Sequence, residues 1–178
     1  MSAENYYVKK VAETARRFCE DCNVISDSDR LLNCEKLSNI LSEFGGKLYF
    51  NDGDESYFKY INKDSFEVNI GSEIDNEDIS ITVLTALGIP FFAMEQLSEG
   101  MIIKLNNLDI IRTMPGEGTV SMVELFAREF LMPENDFEKC MAEYLTDKGT
   151  FDCLKIANEY GTGYMKVMTR GYDLGKWY

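Results

Sequence analysis

With no histidine in its 178 residues, the chain must build any active chemistry from carboxylates, thiols, guanidinium groups and amines. Three groupings have spacing that matters. Cys19 and Cys22 stand three apart, the separation of a redox pair or of half a metal site, with Cys34 nearby in sequence. On a helix the pair shares one edge, but no second half-site is evident, so free thiols on an amphipathic helix are the expectation. Cys140 and Cys153 are similarly isolated. Glu124, Arg128 and Glu129 fall within one segment, ELFAREF. Glu124 and Arg128 are four apart, the spacing of an intrahelical ion pair. As a lone carboxylate base Glu124 would be weak, with no metal, histidine or nucleophile to work with. Lys166 and Arg170 are also four apart, with Lys176 following. That stripe could touch phosphates, although a helix that reads DNA needs several such contacts. No cofactor or metal is expected from any of these groupings.

The overall charge narrows the partners. The formal net charge is −13, which opposes generic binding to a phosphate backbone. It is unevenly spread: residues 150–178 carry Lys155, Lys166, Arg170 and Lys176 against Asp152, Glu159 and Asp173, a net of +1, so the other 149 residues carry −14. A solubilising surface is the bland reading, and an acidic face for a basic partner the sharper one. Hydrophobic residues make up 45% of the chain and aromatics 12%, enough to support a packed core rather than disorder. The opening MSAENYYVKK lacks the apolar stretch of a signal peptide, and the five cysteines lack framework spacing. Reduced thiols in a cytoplasm are therefore expected.

These residues need elements to hold them. Tyr7, Val8, Val11, Ala15 and Phe18 recur near helical spacing between Glu4 and Cys22. A second helix, capped by Ser28 or Asp29, should bury Leu31, Leu32, Leu37, Ile40, Leu41 and Phe44 and end at Gly45-Gly46. Three strand-like runs follow, KLYF, SYFKYI and SFEVNI. Turn chemistry at Asn51-Asp52-Gly53-Asp54 and Asn62-Lys63-Asp64 predicts an antiparallel meander. Residues 79–94 are sixteen positions without a charge. A membrane span needs about 18–20, and the flanks here are acidic, so a buried core helix is expected, kinked or interrupted at Pro90. After a connection around Met114-Pro115-Gly116, a helix from about Thr119 to Leu131 should stop at Pro133, which starts the next, Glu134 to Tyr144. The last segment reads helix, Gly-Thr-Gly turn, helix, the outline of a helix-turn-helix unit.

Two of these segments resemble a known family. SFEVNIGSEIDNEDISITVLTALGI, ending at Ile89, and MVELFAREFLMPENDF, residues 122–137, are similar to the ImmA/IrrE metallopeptidases, which cleave helix-turn-helix repressors in bacteria and mobile elements. The family pattern is a strand ending in Val-Asn, an acidic turn, then Phe-Thr-x-Ala-His-Glu-Leu-Gly-His. Val68-Asn69, Thr82 and Leu87-Gly88 match it. A later family helix reads Glu-Ala-Asn-x-Phe-Ala-x-x-Leu-Leu-Met-Pro, and Phe126-Ala127 and Leu131-Met132-Pro133 match that. The resemblance puts Thr85 and Ile89 on the two zinc-binding histidines, Ala86 on the catalytic glutamate and Met122 on the third ligand. Threonine, isoleucine and methionine do not make a zinc site together, and alanine cannot accept a proton. The scaffold's polar centre has become apolar.

The resemblance and the pattern together imply an α+β fold: a zincin-like helical domain over residues 1–148 with a small three-stranded antiparallel sheet, and a helix-turn-helix-like C-terminal pair over 149–178 packed on it. The function expected is that of a catalytically inactive pseudopeptidase that binds another protein in a phage or mobile-element setting. That partner would be a helix-turn-helix repressor, another DNA-binding protein or an active homologue, held in a groove near Glu124, Arg128 and Glu129. Two alternatives stand beside it: an acidic decoy occupying a nucleic-acid-binding surface, and a transcription regulator contacting DNA through residues 150–176. No membrane association is expected.

Overall fold

The computed structural model describes residues 3–21, 30–106 and 122–177. The fold is α+β. Its helices are α1 (Ala3–Asp21), α2 (Cys34–Glu43), α3 (Ile79–Phe92), α4 (Met122–Leu131), α5 (Glu134–Glu143), α6 (Cys153–Tyr160) and α7 (Tyr164–Asp173). Its strands are β1 (Gly46–Phe50), β2 (Tyr57–Asn62), β3 (Ser65–Ile70) and β4 (Ile102–Lys104). Ser28, Asp29, Cys22, Met114-Pro115-Gly116 and Thr119 lie outside the described residues.

The sheet differs from the expected meander. It has four strands in the order β1-β3-β2-β4, and β1 runs parallel to β3. Only β2–β3 is a hairpin, with the Asn62 side chain accepting from Asp64 N at 2.9 Å in its turn. The segment after β1 carries the turn chemistry its sequence promises, since Gly53 N donates to Asn51 Oδ1 at 2.8 Å. That turn leads over the end of β3 instead of folding back beside β1. Gly71 N donates to Ser56 Oγ at 2.8 Å and Ser72 N to Gly53 O at 2.9 Å, closing the crossing. A Cβ at Gly71 would stand 2.6 Å from Gly53 O, so only glycine admits the passing chain. The fourth strand, β4, comes from what reads in sequence as a connection, and pairs antiparallel with β2. Along β2 and β3 alternate residues Phe58, Tyr60, Phe66 and Val68 are buried, the two-residue period of a sheet covered on one face.

Helix α3 lies at the centre, packed on α4 and touching β3 and α2. Of its residues from Ser80 to Ile89 all but Thr82 are buried, which is why it is apolar all round. Pro90 does not interrupt it. It falls in the last turn, where Ala93 N still reaches Ile89 O at 2.9 Å and the helix runs on to Phe92. Phe18, Phe44, Phe91, Phe92 and Phe126 close this end in edge-on and tilted contacts, with centroids 4.7–6.2 Å apart. Among the described residues no helix is long and apolar enough to cross a membrane. Helix α2 starts later than expected. Its cap is Asn33, whose side chain accepts from Lys36 N, and Leu31 and Leu32 precede it.

Candidate functional site

Three of the four positions where the resemblance places a zinc site, Thr85, Ala86 and Ile89, lie on α3 and the fourth, Met122, on α4, two helices that pack together. Gly88 sets the distance: a Cβ there would meet Val123 Cα at 3.2 Å and Phe126 Cδ1 at 3.3 Å, so the two helices touch without a gap at that level. Ala86 and Ile89 have no exposed surface, and Met122 packs half-buried against the same core. Thr85 is buried too, but its hydroxyl is satisfied within its own helix, donating to Ile81 O at 2.7 Å. The local chemistry is that of a hydrophobic interface holding one back-bonded hydroxyl.

The polar residues of α4 turn the other way, toward α7 and α1. Arg128 does not pair with Glu124, as its spacing predicted. Its Nε donates to Asp173 Oδ2 at 2.7 Å, while Glu124 is exposed. Glu129 is 3% exposed and sits between two cations. Arg170 Nη2 is 2.5 Å from its Oε2, and Arg16 Nε approaches Oε1 to 3.4 Å, a charge contact without hydrogen-bond geometry. Arg170 also donates from Nε to Met132 O at 2.9 Å, just past the end of α4. The expected groove residues therefore separate: Arg128 and Glu129 bind α7 to the domain, and Glu124 alone faces solvent.

The same geometry corrects the phosphate-contacting stripe. Arg170 is 1% exposed and committed to Glu129, so it does not share a surface with Lys166. Lys176 reaches back to Glu138 on α5. Lys166 is half-buried on α7. Helices α6 and α7 are joined by Gly161-Thr162-Gly163, with Gly161 in the left-handed conformation at φ 58° ending α6. Trp177 lies on Gly171 and donates to Met168 O at 2.7 Å, fastening the end of the chain to α7.

A second ionic cluster, built from segments too far apart for spacing to reveal, centres on Arg30. Its Nε bonds both oxygens of Asp136, at 3.1 and 3.0 Å, and its two terminal nitrogens bond Glu143 at 3.0 and 3.2 Å. Tyr160 donates to Asp136 at 2.6 Å, and Tyr144 donates to Glu159 at 2.6 Å. Hydrogen bonding to Glu143 raises the Arg30 pKa, so the guanidinium stays charged. Desolvation pushes the Tyr160 phenol up, with its bond to Asp136 adding to the shift. Burial pushes the neighbouring Cys140 thiol up to about 12, which keeps it protonated and unreactive. Tyr144 is likewise raised to about 12, chiefly by its bond to Glu159. Cys19 and Cys140 are buried, Cys153 is half-buried, and Cys34 is exposed.

An open cleft of about 410 Å³ lies where the N-terminal ends of α2 and α3 meet α6. Leu32, Leu37, Ile79 and Ala157 give it apolar walls, and Asn33, Cys34, Glu77, Asn158 and Thr162 add polar groups. Its residues come from three segments far apart in sequence. No protein-family model matches the chain, and no curated protein matches it. The fold and site together define an α+β structure whose central helix is buried and apolar and whose ionic groups mostly tie its helices together.

Proposed function

We propose that the chain is a non-catalytic, zincin-like protein of the ImmA/IrrE kind that acts by binding another protein, a helix-turn-helix repressor or an active homologue in a phage or mobile-element setting. The observation that carries this reading is the packing of positions 85, 86, 89 and 122. Where the resemblance calls for three metal ligands and a base, the chain has Thr85, Ala86, Ile89 and Met122, none of which ionises; the first three are buried and Met122 is half-buried against the core. The ELFAREFLMP helix that would face such a site is kept in sequence, but two of its charged residues, Arg128 and Glu129, serve the docking of α7. Contact with DNA through the last two helices is disfavoured by the inward turn of Arg170 and by the charge of −13. Titrating purified helix-turn-helix repressors against the chain by calorimetry tests the proposal. A saturable complex that persists at high salt, with the repressor intact, is expected. Binding lost steeply with salt would point instead to an acidic decoy of nucleic acid.

A further inference from the structure

We propose that the cleft between α2, α3 and α6 receives an arginine side chain from a protein partner. This rests on the protein-binding reading above and gives it a place and a chemistry. The cleft's volume of about 410 Å³ is at the small end of the range that holds ligands, about 300–1,000 Å³, so it suits a side chain or a small molecule. Its polar end holds one hydroxyl that the protein leaves unused. Thr162 lines the cleft at 3% exposure, and its Oγ1 has no hydrogen-bond partner. Asp78 does not line the cleft, but it lies in sequence between the lining residues Glu77 and Ile79, and its Oδ1 is also buried without a donor. Asp78 and Glu77 gather over the next residue: a Cβ at Gly163 would lie 3.5 Å from Asp78 Oδ1 and 3.8 Å from Glu77 Oε1. The N-terminal end of α7 favours carboxylates there, yet it supplies Asp78 Oδ1 with no hydrogen bond.

The unpartnered Thr162 Oγ1 and Asp78 Oδ1, with the exposed Glu77 carboxylate beside them, call for a cation carrying several N–H groups. A guanidinium presents five in a planar fork, whereas an ammonium is a compact point charge. Leu32, Leu37, Ile79 and Ala157 supply apolar walls for the aliphatic stem. The apolar surface then continues past the cleft, which selects a protein over a free ion. Leu31 at the rim is 50% exposed, and Leu154 is 64% exposed on the α6 face that also carries Ala157, Asn158 and Gly161. The net charge of −13 favours a basic partner segment.

Cys34 lines the cleft and is exposed, so it reports occupancy. The full chain is treated with iodoacetamide, and labelling of Cys34 and Cys153 is followed by peptide mass spectrometry. The probes are N-acetyl-argininamide and its neutral counterpart N-acetyl-citrullinamide. At twice its dissociation constant the arginine probe should slow Cys34 labelling about threefold, since free sites fall as 1 + [L]/Kd. The citrulline probe should leave the rate unchanged, Cys153 should be unaffected, and Glu77→Gln should cancel the protection. Glu77 is exposed, so this variant should keep the parent's melting curve. Equal protection by both probes, or protection by neither up to their solubility, overturns the proposal. If the arginine probe protects but no repressor binds, the cleft stands and the wider reading falls. If a repressor binds parent and Glu77→Gln equally well, the wider reading stands and the cleft assignment falls.

Discussion

Replacing Ala86 by glutamate restores, at one position, the residue type that the peptidase resemblance places there, and it separates a packed interface from an open cleft. Ala86 has no exposed surface and sits on a helix whose neighbouring Gly88 already touches Val123. Four added heavy atoms, three of them a carboxyl, must therefore overpack the core around α3, costing about 1–3 kcal/mol. The charge costs more. A fully buried carboxyl has its pKa raised by up to about 3–5 units from an unfolded value of about 4.3. Above that unfolded value the unfolded chain ionises freely while the folded chain resists ionisation. The penalty thus grows with pH, by about 1.4 kcal/mol per unit, until the buried group ionises. At pH 7.5 the charge alone should cost about 4 kcal/mol, against a total stability of about 5–15 kcal/mol for a domain. Between pH 5.5 and 7.5 the loss should deepen by about 3 kcal/mol. Urea denaturation followed by circular dichroism measures it. Ala86→Gln isolates the volume cost, and Thr85→Val, which removes only a back-bonded hydroxyl, should stay within about 1 kcal/mol of the parent. An Ala86→Glu protein with the parent's urea midpoint at pH 7.5 would refute the packing argument, because it would require water at position 86.

Four further outcomes follow from the ionic clusters, the cysteines and the turn between α6 and α7. Glu129→Gln leaves Arg170 buried without its anion and should cost about 3–5 kcal/mol in urea unfolding; adding Arg170→Met should recover part of that, and a double-mutant cycle without coupling would contradict the pairing. Cys140 has a folded pKa of about 12 against an ordinary 9.0. Its contribution to stability is therefore complete below about 9 and lost as pH rises toward 12, which an alkaline unfolding titration of parent against Cys140→Ala will show. At neutral pH Cys34 should react with a thiol reagent before Cys140 does, as kinetic labelling will reveal. Gly161→Ala forces a side chain into the left-handed region, and its Cβ would stand 2.4 Å from Leu31 Cδ1. The backbone term is about 1–2 kcal/mol, and a thermal melt unchanged from the parent would argue against this turn.

The parts of the fold that sequence revealed are those whose pattern is local. The charge-free run at 79–94 marks α3 because every side of that helix is buried. Pro133 marks the break between α4 and α5 because it removes a donor there. The strands were visible as apolar alternation, but their order was not. Asn51 makes the same side-chain turn whether the chain folds back as a hairpin or climbs over β3, and the choice is made by Ser56 and Gly71, which lie outside the turn. Strand β4 has three residues, too few to show a period. At the site, the burial of Thr85, Ala86 and Ile89 was legible, because they fall within that charge-free run. The partners of Arg128 and Arg170 were not, because spacing sees only neighbours on one helix. Asp173 is 45 residues from Arg128, and it displaces the i,i+4 partner Glu124. The Arg30 cluster and the cleft were hidden for the same reason, since each is assembled from distant segments.

The most direct test of the central claim is to purify the chain, saturate it with zinc, remove excess metal, and measure bound zinc by elemental analysis while incubating the same sample with helix-turn-helix repressors. The account predicts substoichiometric zinc, binding to a repressor or an active homologue, and no cleavage product by mass spectrometry. One zinc per chain together with cleavage at a defined bond would contradict it.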